Sequence, residues 1–237
     1  MACFWTGTGK ILLYFAIAAS TALTCRVLIR IPDELFRKIL HCIVLGSLPV
    51  FLTAFDFWWM AAVEAVAFAL VVFPVLAILE RVPGFSRLTT ERKHGELKNS
   101  LLLVFFMYAL VIGICWGWLQ DRYLVLASVY AWGFGDAAAA LVGKQFGRHK
   151  IPWKCADGKK SFEGSGAMLA TSFVSVLVIL LLRGGLSLAD SLVISLLVAL
   201  AAALAELCSK NGNDTVICPL SAMAVLLILI RILGGFA

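Results

Sequence analysis

A carboxylate and a basic loop lie close together in the middle of a very apolar chain of 237 residues. Asp136 stands inside an apolar segment, and a loop rich in Lys and Arg begins at Lys144. A carboxylate within a membrane span is costly, so such a residue usually faces a cavity, a partner or a metal. We therefore expect Asp136 to bind Mg²⁺ or to act as a base towards a substrate hydroxyl. The alternative is a buried ion pair with a neighbouring Arg or Lys.

The exit from this segment is spaced by glycines. Gly143, Gly147 and Arg148 lie between 7 and 12 residues after Asp136 in the sequence. Glycines let the backbone approach a phosphate closely, and a guanidinium can neutralise its charge. The same GxxxG spacing also occurs where two helices pack closely, and that reading stays open.

The basic loop ends in a polar run before the next apolar segment. The residues of interest in that run are Lys159, Lys160, Ser161, Glu163, Gly164 and Ser165. Backbone N–H groups at a helix start can bind an anion, lysines beside them can hold polyphosphate, and a carboxylate can hold a metal. The alternative is a solvated loop on the basic side of a membrane protein.

Three further polar groups flank this region. Their spacing lets Arg37 or Lys38 share a helix face with His41. Glu96 opens the fourth apolar segment. Glu206 ends the seventh and Asp214 precedes the eighth, where both could bind Mg²⁺, cap helices or pair with cations.

The composition identifies the elements that must position these residues. Hydrophobic residues make up 62% of the chain and charged residues only 14%, whereas soluble domains have roughly 25% charged residues. We expect an all-α, polytopic integral membrane helical bundle of about seven or eight spans, in one domain covering residues 1–237. The predicted spans are 9–29, 39–55, 57–80, 99–119, 122–143, 165–182, 186–206 and 215–234. The second span is short, so a re-entrant piece is the alternative there.

The distribution of charge orients these spans. Most of the 20 Lys and Arg residues fall in loops 30–38, 81–98, 144–164 and 207–214, which share one side in the eight-span arrangement. The positive-inside rule makes this side cytoplasmic, with loop 144–164 as the nucleotide-binding loop of a cytoplasmic active site. The net charge of +6 therefore indicates topology, and no nucleic-acid partner is expected. A bacterial plasma membrane, a plastid membrane and the endoplasmic reticulum all fit, and a homodimer is left open.

The central residues resemble the signature of the CTP-dependent lipid-alcohol kinases, which include phytol kinases, dolichol and polyprenol kinases and yeast-type diacylglycerol kinase. The matching positions are Gly135-Asp136, Ala139, Gly143, Phe146-Gly147-Arg148, Lys160-Ser161, Glu163-Gly164-Ser165 and Met168. Arg37-Lys38 with His41 is similar to the family's RKxxH element, Gly95-Glu96 to its GE element, and Glu206 with Asp214 and Pro219 to its late E…DNxxxP element. The family's late Asn reads Thr215 here, so the Thr215 hydroxyl would have to replace it. The resemblance covers residues 34–220.

The resemblance implies transfer of phosphate from CTP, with Mg²⁺, to the hydroxyl of a membrane lipid alcohol. The implied catalytic residues are Asp136, Lys160 and Glu163. The implied nucleotide-binding residues are Gly143, Gly147, Arg148, Lys159, Lys160, Ser161, Gly164 and Ser165. The implied metal ligands are Asp136, Glu163, Glu206 and Asp214, with Arg37, Lys38, His41 and Glu96 as accessory residues.

Within this family, the Phe146-Gly147-Arg148 and Lys150-Ile151-Pro152 stretches look most like the phytol kinase branch. We therefore expect an isoprenoid alcohol such as phytol, farnesol, geranylgeraniol, a polyprenol or dolichol. Diacylglycerol is the alternative substrate. A phosphatidate cytidylyltransferase shares the central motif but carries a second C-terminal signature that this chain lacks, and a transporter would not need the basic loop.

Overall fold

The computed structural model describes residues 2–82, 84–85, 89, 95–153, 156, 158, 160–209 and 212–233. Within these residues it is helical, and the chain divides into two compact units, Met1–Gln120 and Asp121–Ala237. Eight of the described helices are long and apolar enough to cross a membrane. The predicted all-helical, multi-span architecture is therefore confirmed.

The first unit contains four long helices: α1 Ala2–Leu28, α2 Asp33–Ala54, α3 Trp58–Leu79 and α4 Glu96–Val111, which continues into a π-helical stretch, Ile112–Trp118. Acidic residues occupy the first turn of α2 and of α4, where they complement the positive end of the helix dipole. Helix α1 packs against α2, and α3 packs against α4.

An aromatic cluster joins the four helices of the first unit. Phe15 from α1 stacks on Phe68 from α3 with ring centroids 4.8 Å apart. Phe51 from α2 and Phe105 from α4 complete the cluster, with centroids 5.8 Å apart. Edge-to-face and offset aromatic pairs are favourable beyond their buried area. Phenylalanine rings therefore form the core of this unit.

The second unit contains the other four helices: α5 Arg122–Phe146, α6 Phe162–Arg183, α7 Leu188–Cys208 and α8 Asp214–Ile232. Side-chain caps begin three of them, since Asp121, Ser161 and Ser187 each accept a hydrogen bond from a backbone N–H of the first turn. Helix α5 contacts α6, α7 and α8. The helix that carries Asp136 therefore contacts every other helix of its unit.

Helices α5 and α6 approach each other closely because small residues face one another. A Cβ added at Gly135 would lie 3.0 Å from Cγ of Met168, and the hydroxyl of Ser172 donates to the carbonyl of Ala131. Helices α6 and α7 are joined by Gly184 and Gly185, whose φ values of 72° and 78° suit glycine.

Several predicted boundaries differ from the observed ones. Helix α2 begins at Asp33 rather than at residue 39 and has 22 residues, long enough for a full crossing, so the shortness that suggested a re-entrant piece is absent. The first turn of α2 is charged, so hydropathy does not reveal where this helix begins. Helix α5 continues to Phe146 and α6 begins at Phe162, so the connecting loop is shorter at both ends than residues 144–164.

Candidate functional site

Three carboxylates come together in the second unit. Glu206 lies in the last turn of α7, and both Asp136 of α5 and Asp214 at the start of α8 are close enough to interact electrostatically with it. These residues are far apart in sequence but come from three helices of one unit. Of the four carboxylates that the sequence predicted as metal ligands, Asp136 and Asp214 thus lie within electrostatic range of a third, Glu206.

Lys160 is the cation of this cluster. Its Nζ lies 2.9 Å from Oε1 of Glu206 and also donates to the backbone carbonyls of Glu206 and Ser209. Both side chains are mostly buried, with 20% and 13% exposed. A cation is favourable at the C-terminus of a helix because it meets the negative end of the dipole. Lys160 therefore connects the start of α6 to the end of α7 and neutralises part of the acidic cluster.

Cys218 is a residue of this region that sequence reasoning missed. It is fully buried on α8 and lies within electrostatic range of Asp214, Glu206 and Asp136. The sequence signal that could have identified Cys218 is its position one helical turn after Asp214. A buried thiol behaves as a small hydrophobe, so Cys218 is an apolar neighbour of the carboxylates.

The basic loop folds back on itself next to the end of α7. The N–H of Ile151 donates to the carbonyl of Lys160 at 3.1 Å, and the N–H of Phe162 donates to the carbonyl of His149 at 3.0 Å. Ile151 and Ala156 pack against Leu207 of α7 in a small apolar cluster. The loop is therefore anchored at the end of α7, close to the carboxylates.

Glu163 makes a different set of contacts from the other predicted metal ligands. Its Oε1 lies 2.7 Å from Nδ1 of His149 and 3.2 Å from the backbone nitrogen of the same residue. The His149 side chain is 79% exposed and that of Glu163 only 26%. Sequence reasoning missed His149, although it stands between Arg148 and Lys150 in the basic loop. In this arrangement, Glu163 fastens the loop to the first turn of α6.

The glycines of the central motif surround the hydroxyl of Ser161. A Cβ added at Gly143 would lie 3.4 Å from Oγ of Ser161, and one at Gly164 would lie 3.3 Å from the same atom and 3.2 Å from Cα of Gly143. A Cβ at Gly147 would lie 2.7 Å from Oγ. These glycines permit close packing of α5 on α6, which is the alternative that the spacing left open. Phosphate binding by them stays a prediction.

The backbone N–H groups at the start of α6 already have acceptors within the chain. Gly164 N donates to Oγ of Ser161 at 3.2 Å, and Ser165 N donates to the carbonyl of Ser161 at 3.0 Å. The N–H of Phe162 is also used, by His149. A phosphate bound here would therefore be held mainly by cationic side chains. Arg148 and Lys150 are exposed on the loop, whereas Lys159 lies outside the described residues.

The accessory residues belong to the first unit. Nη2 of Arg37 lies 2.7 Å from Oε1 of Glu34, and its Nη1 lies 3.8 Å from Oε1 of Glu96. Lys38 is buried, and His41 is partly buried one turn further along α2. The sequence predicted Arg37 and Glu96 separately, and the structure shows them as a pair between α2 and α4.

Among the described residues, no group of three or more His, Cys, Asp and Glu side chains is arranged as a ready-made metal site. The donor chemistry nevertheless fits magnesium. Mg²⁺ is usually held by one or two carboxylates together with substrate phosphates, rather than by a cage of protein ligands. Asp136, Asp214 and Glu206 offer such carboxylates near Lys160.

The fold and site together define a polytopic membrane protein with an acidic cluster and a basic loop in its second unit. Over 230 residues the chain is 31% identical to a phytol kinase of the cyanobacterium Synechocystis, covering 93% of this chain and 90% of that protein. It is also 27% identical over 172 residues to a probable chloroplastic phytol kinase of Triticum aestivum, covering 68% of this chain and 53% of the wheat protein. No family model and no solved structure matches the chain. The chain belongs to the phytol kinase branch of the lipid-alcohol kinases.

Proposed function

We propose that this protein is a CTP-dependent kinase that phosphorylates the hydroxyl of an isoprenoid lipid alcohol within the membrane. The proposal rests mainly on the ion pair of Lys160 with Glu206, which interacts electrostatically with Asp136 and Asp214, at the end of a loop that carries further cations. Such a pairing of cations and carboxylates suits phosphoryl transfer, which depends on positioning and on neutralising charge. The similarity to two phytol kinases supports a lipid alcohol as acceptor.

The roles of the side chains follow from their positions. Lys160 and Arg148 would bind the triphosphate of CTP, and Lys160 would exchange part of its contacts with the end of α7 for phosphate oxygens. Asp136 and Asp214 would hold Mg²⁺, which neutralises phosphate charge when bound. The alcohol oxygen attacks the γ-phosphorus while the bond to the β-phosphate oxygen breaks, and CDP leaves. Asp136 would accept the proton that the hydroxyl loses.

Glu163 would act by positioning the loop. Its three contacts to His149 fix the first residues of the loop against α6. Arg148 precedes His149 directly, so the same contacts limit where the Arg148 guanidinium can reach. The charge distribution would place this loop on the cytoplasmic side, where CTP is available, and the alcohol would enter sideways from the cytoplasmic leaflet.

The test uses the full-length protein in detergent–lipid micelles with Mg²⁺ and either γ-labelled CTP or γ-labelled ATP. The acceptors are phytol, farnesol, geranylgeraniol, a polyprenol and diacylglycerol, each assayed alone. We expect label in an isoprenoid phosphate, from CTP in preference to ATP. Label in phosphatidic acid alone would replace the isoprenoid acceptor by diacylglycerol. Transfer from α-labelled CTP into a CDP-lipid, with release of pyrophosphate, would overturn the kinase in favour of a cytidylyltransferase.

A further inference from the structure

An apolar groove runs between α6 and α7 in the second unit. Its volume is about 430 Å³, which falls within the range of ligand pockets. The groove is lined by Gly166, Leu169, Ala170, Phe173, Leu192, Val193 and Leu196. None of these lining residues carries a polar side chain, so the groove suits a hydrocarbon chain.

Gly166 keeps this groove open. A Cβ added at Gly166 would have no atom within 4 Å, whereas Gly135, Gly143 and Gly164 all abut neighbouring atoms. Gly166 also has an ordinary helical φ, and glycine in a helix is less favourable than alanine by about 1 kcal/mol. Neither packing nor backbone conformation therefore requires glycine here. Its effect is to leave space in the groove.

The groove continues directly from the polar start of α6. Glu163, Gly166, Ala170 and Phe173 follow one another at spacings of three and four residues, so they share one face of the helix. From Gly166 to Phe173 the groove extends about 10 Å along α6. One end thus lies a single turn from Glu163 and the anchored basic loop, and the remainder is apolar. The polar end and the apolar remainder match the hydroxyl group and the hydrocarbon chain of a long-chain alcohol.

We propose that the groove between α6 and α7 binds the isoprenoid chain of the acceptor, with the hydroxyl end towards the start of α6, where Lys160 pairs with Glu206. This inference rests on the proposed function for the identity of the ligand. A methyl-branched chain needs recesses for its branches, and Gly166 and Ala170 provide them on the α6 side.

The test is photolabelling of the full-length protein in phospholipid nanodiscs with a farnesol analogue that carries a diazirine on its chain. Peptide mapping should place the label on residues of Gly166–Phe173 or Leu192–Leu196, and unlabelled phytol should compete. Gly166→Leu fills the groove and should lower the labelling at least tenfold. Gly166→Ala should have an intermediate effect. Gly9→Leu is the matched control, since a Cβ at Gly9 also has no atom within 4 Å, and it should label as the wild type does.

The outcomes separate the groove from the kinase assignment. Label outside the groove, or equal labelling of Gly166→Leu and wild type, would overturn the groove proposal even if the wild type phosphorylates phytol. Competition by excess phospholipid as strong as that by phytol would also overturn it, since the groove would then be a site for bilayer lipid. Groove labelling with competition by phytol, in a protein that transfers no phosphate, would support the groove and overturn the kinase.

Discussion

Nζ of Lys160 lies 2.9 Å from Oε1 of Glu206, and the two residues are 46 positions apart in the sequence. Lys160 immediately precedes the N-cap of α6, whereas Glu206 lies in the last turn of α7. The pair therefore joins the end of the basic loop to the helix that carries one of the three clustered carboxylates. In the proposed reaction, Lys160 would turn from Glu206 towards the phosphates of CTP.

Lys160→Met should destabilise the protein as well as abolish transfer. Removing the cation leaves the largely buried Glu206 carboxylate without its ion pair, which should cost about 2 kcal/mol. We expect a lower midpoint of thermal unfolding in detergent and loss of CTP-dependent phosphorylation. The measurement is an unfolding curve followed by circular dichroism together with the γ-label assay.

The double variant Lys160→Met with Glu206→Gln separates these two effects. It removes the unpaired charge, so most of the lost stability should return while activity stays absent. If stability and activity recovered together, Lys160 would have only a structural role.

Asp136→Asn should reduce transfer by about 10²-fold or more, as expected for loss of a base or metal ligand. The amide is similar in size, so membrane insertion and unfolding temperature should stay close to those of the wild type. Asp190→Asn is the matched control in the same unit, because Asp190 lies at the start of α7 and pairs with Ser187. Near-normal turnover by Asp136→Asn would remove Asp136 from the catalytic site.

The sequence predicted the helices well because each candidate span contains a mostly apolar run of sufficient length. It placed the start of α2 too late, because Asp33 and Glu34 in its first turn carry charge and lie outside the apolar run. It also ended α5 at Gly143, although the helix continues to Phe146. Glycine is tolerated there because it lets α5 pack closely on α6.

The residues of the candidate site could be predicted from the sequence, but the contacts between them could not. Asp136, Glu206 and Asp214 could be identified as carboxylates next to apolar spans, and the structure brings them together. The contact of Glu163 with His149 depends on how the loop folds back, which no periodicity in the sequence encodes. Sequence reasoning grouped Glu163 with the metal ligands, which stays a prediction, and missed its contact with His149.

Glu163→Ala should loosen the loop between Arg148 and Ser161. The substitution removes the acceptor for both the ring and the backbone N–H of His149. Because Arg148 and Lys150 are already exposed, trypsin should cleave after them several-fold faster than in the wild type. His149→Ala keeps the backbone hydrogen bond and should show a smaller increase. Equal cleavage of Glu163→Ala and wild type would mean that Glu163 does not restrain the loop.

Two glycines of the central motif should respond differently to the same substitution. A Cβ at Gly164 would lie 3.0 Å from the carbonyl oxygen of Ala139 and 3.2 Å from Cα of Gly143. These backbone atoms cannot move without separating α5 from α6, so Gly164→Ala should cost roughly 1–3 kcal/mol through overpacking.

A Cβ at Gly143 would make ordinary contacts, 3.4 Å from Oγ of Ser161 and 3.5 Å from Cα of Gly164. Alanine is the better helix former, so Gly143→Ala should leave the unfolding temperature unchanged or slightly raised. Comparing the two variants by thermal unfolding and by the γ-label assay then tests the remaining role of Gly143. If Gly143→Ala folds normally but loses CTP turnover, the nucleotide needs the space that glycine leaves at position 143. If turnover is normal, its role is limited to helix packing.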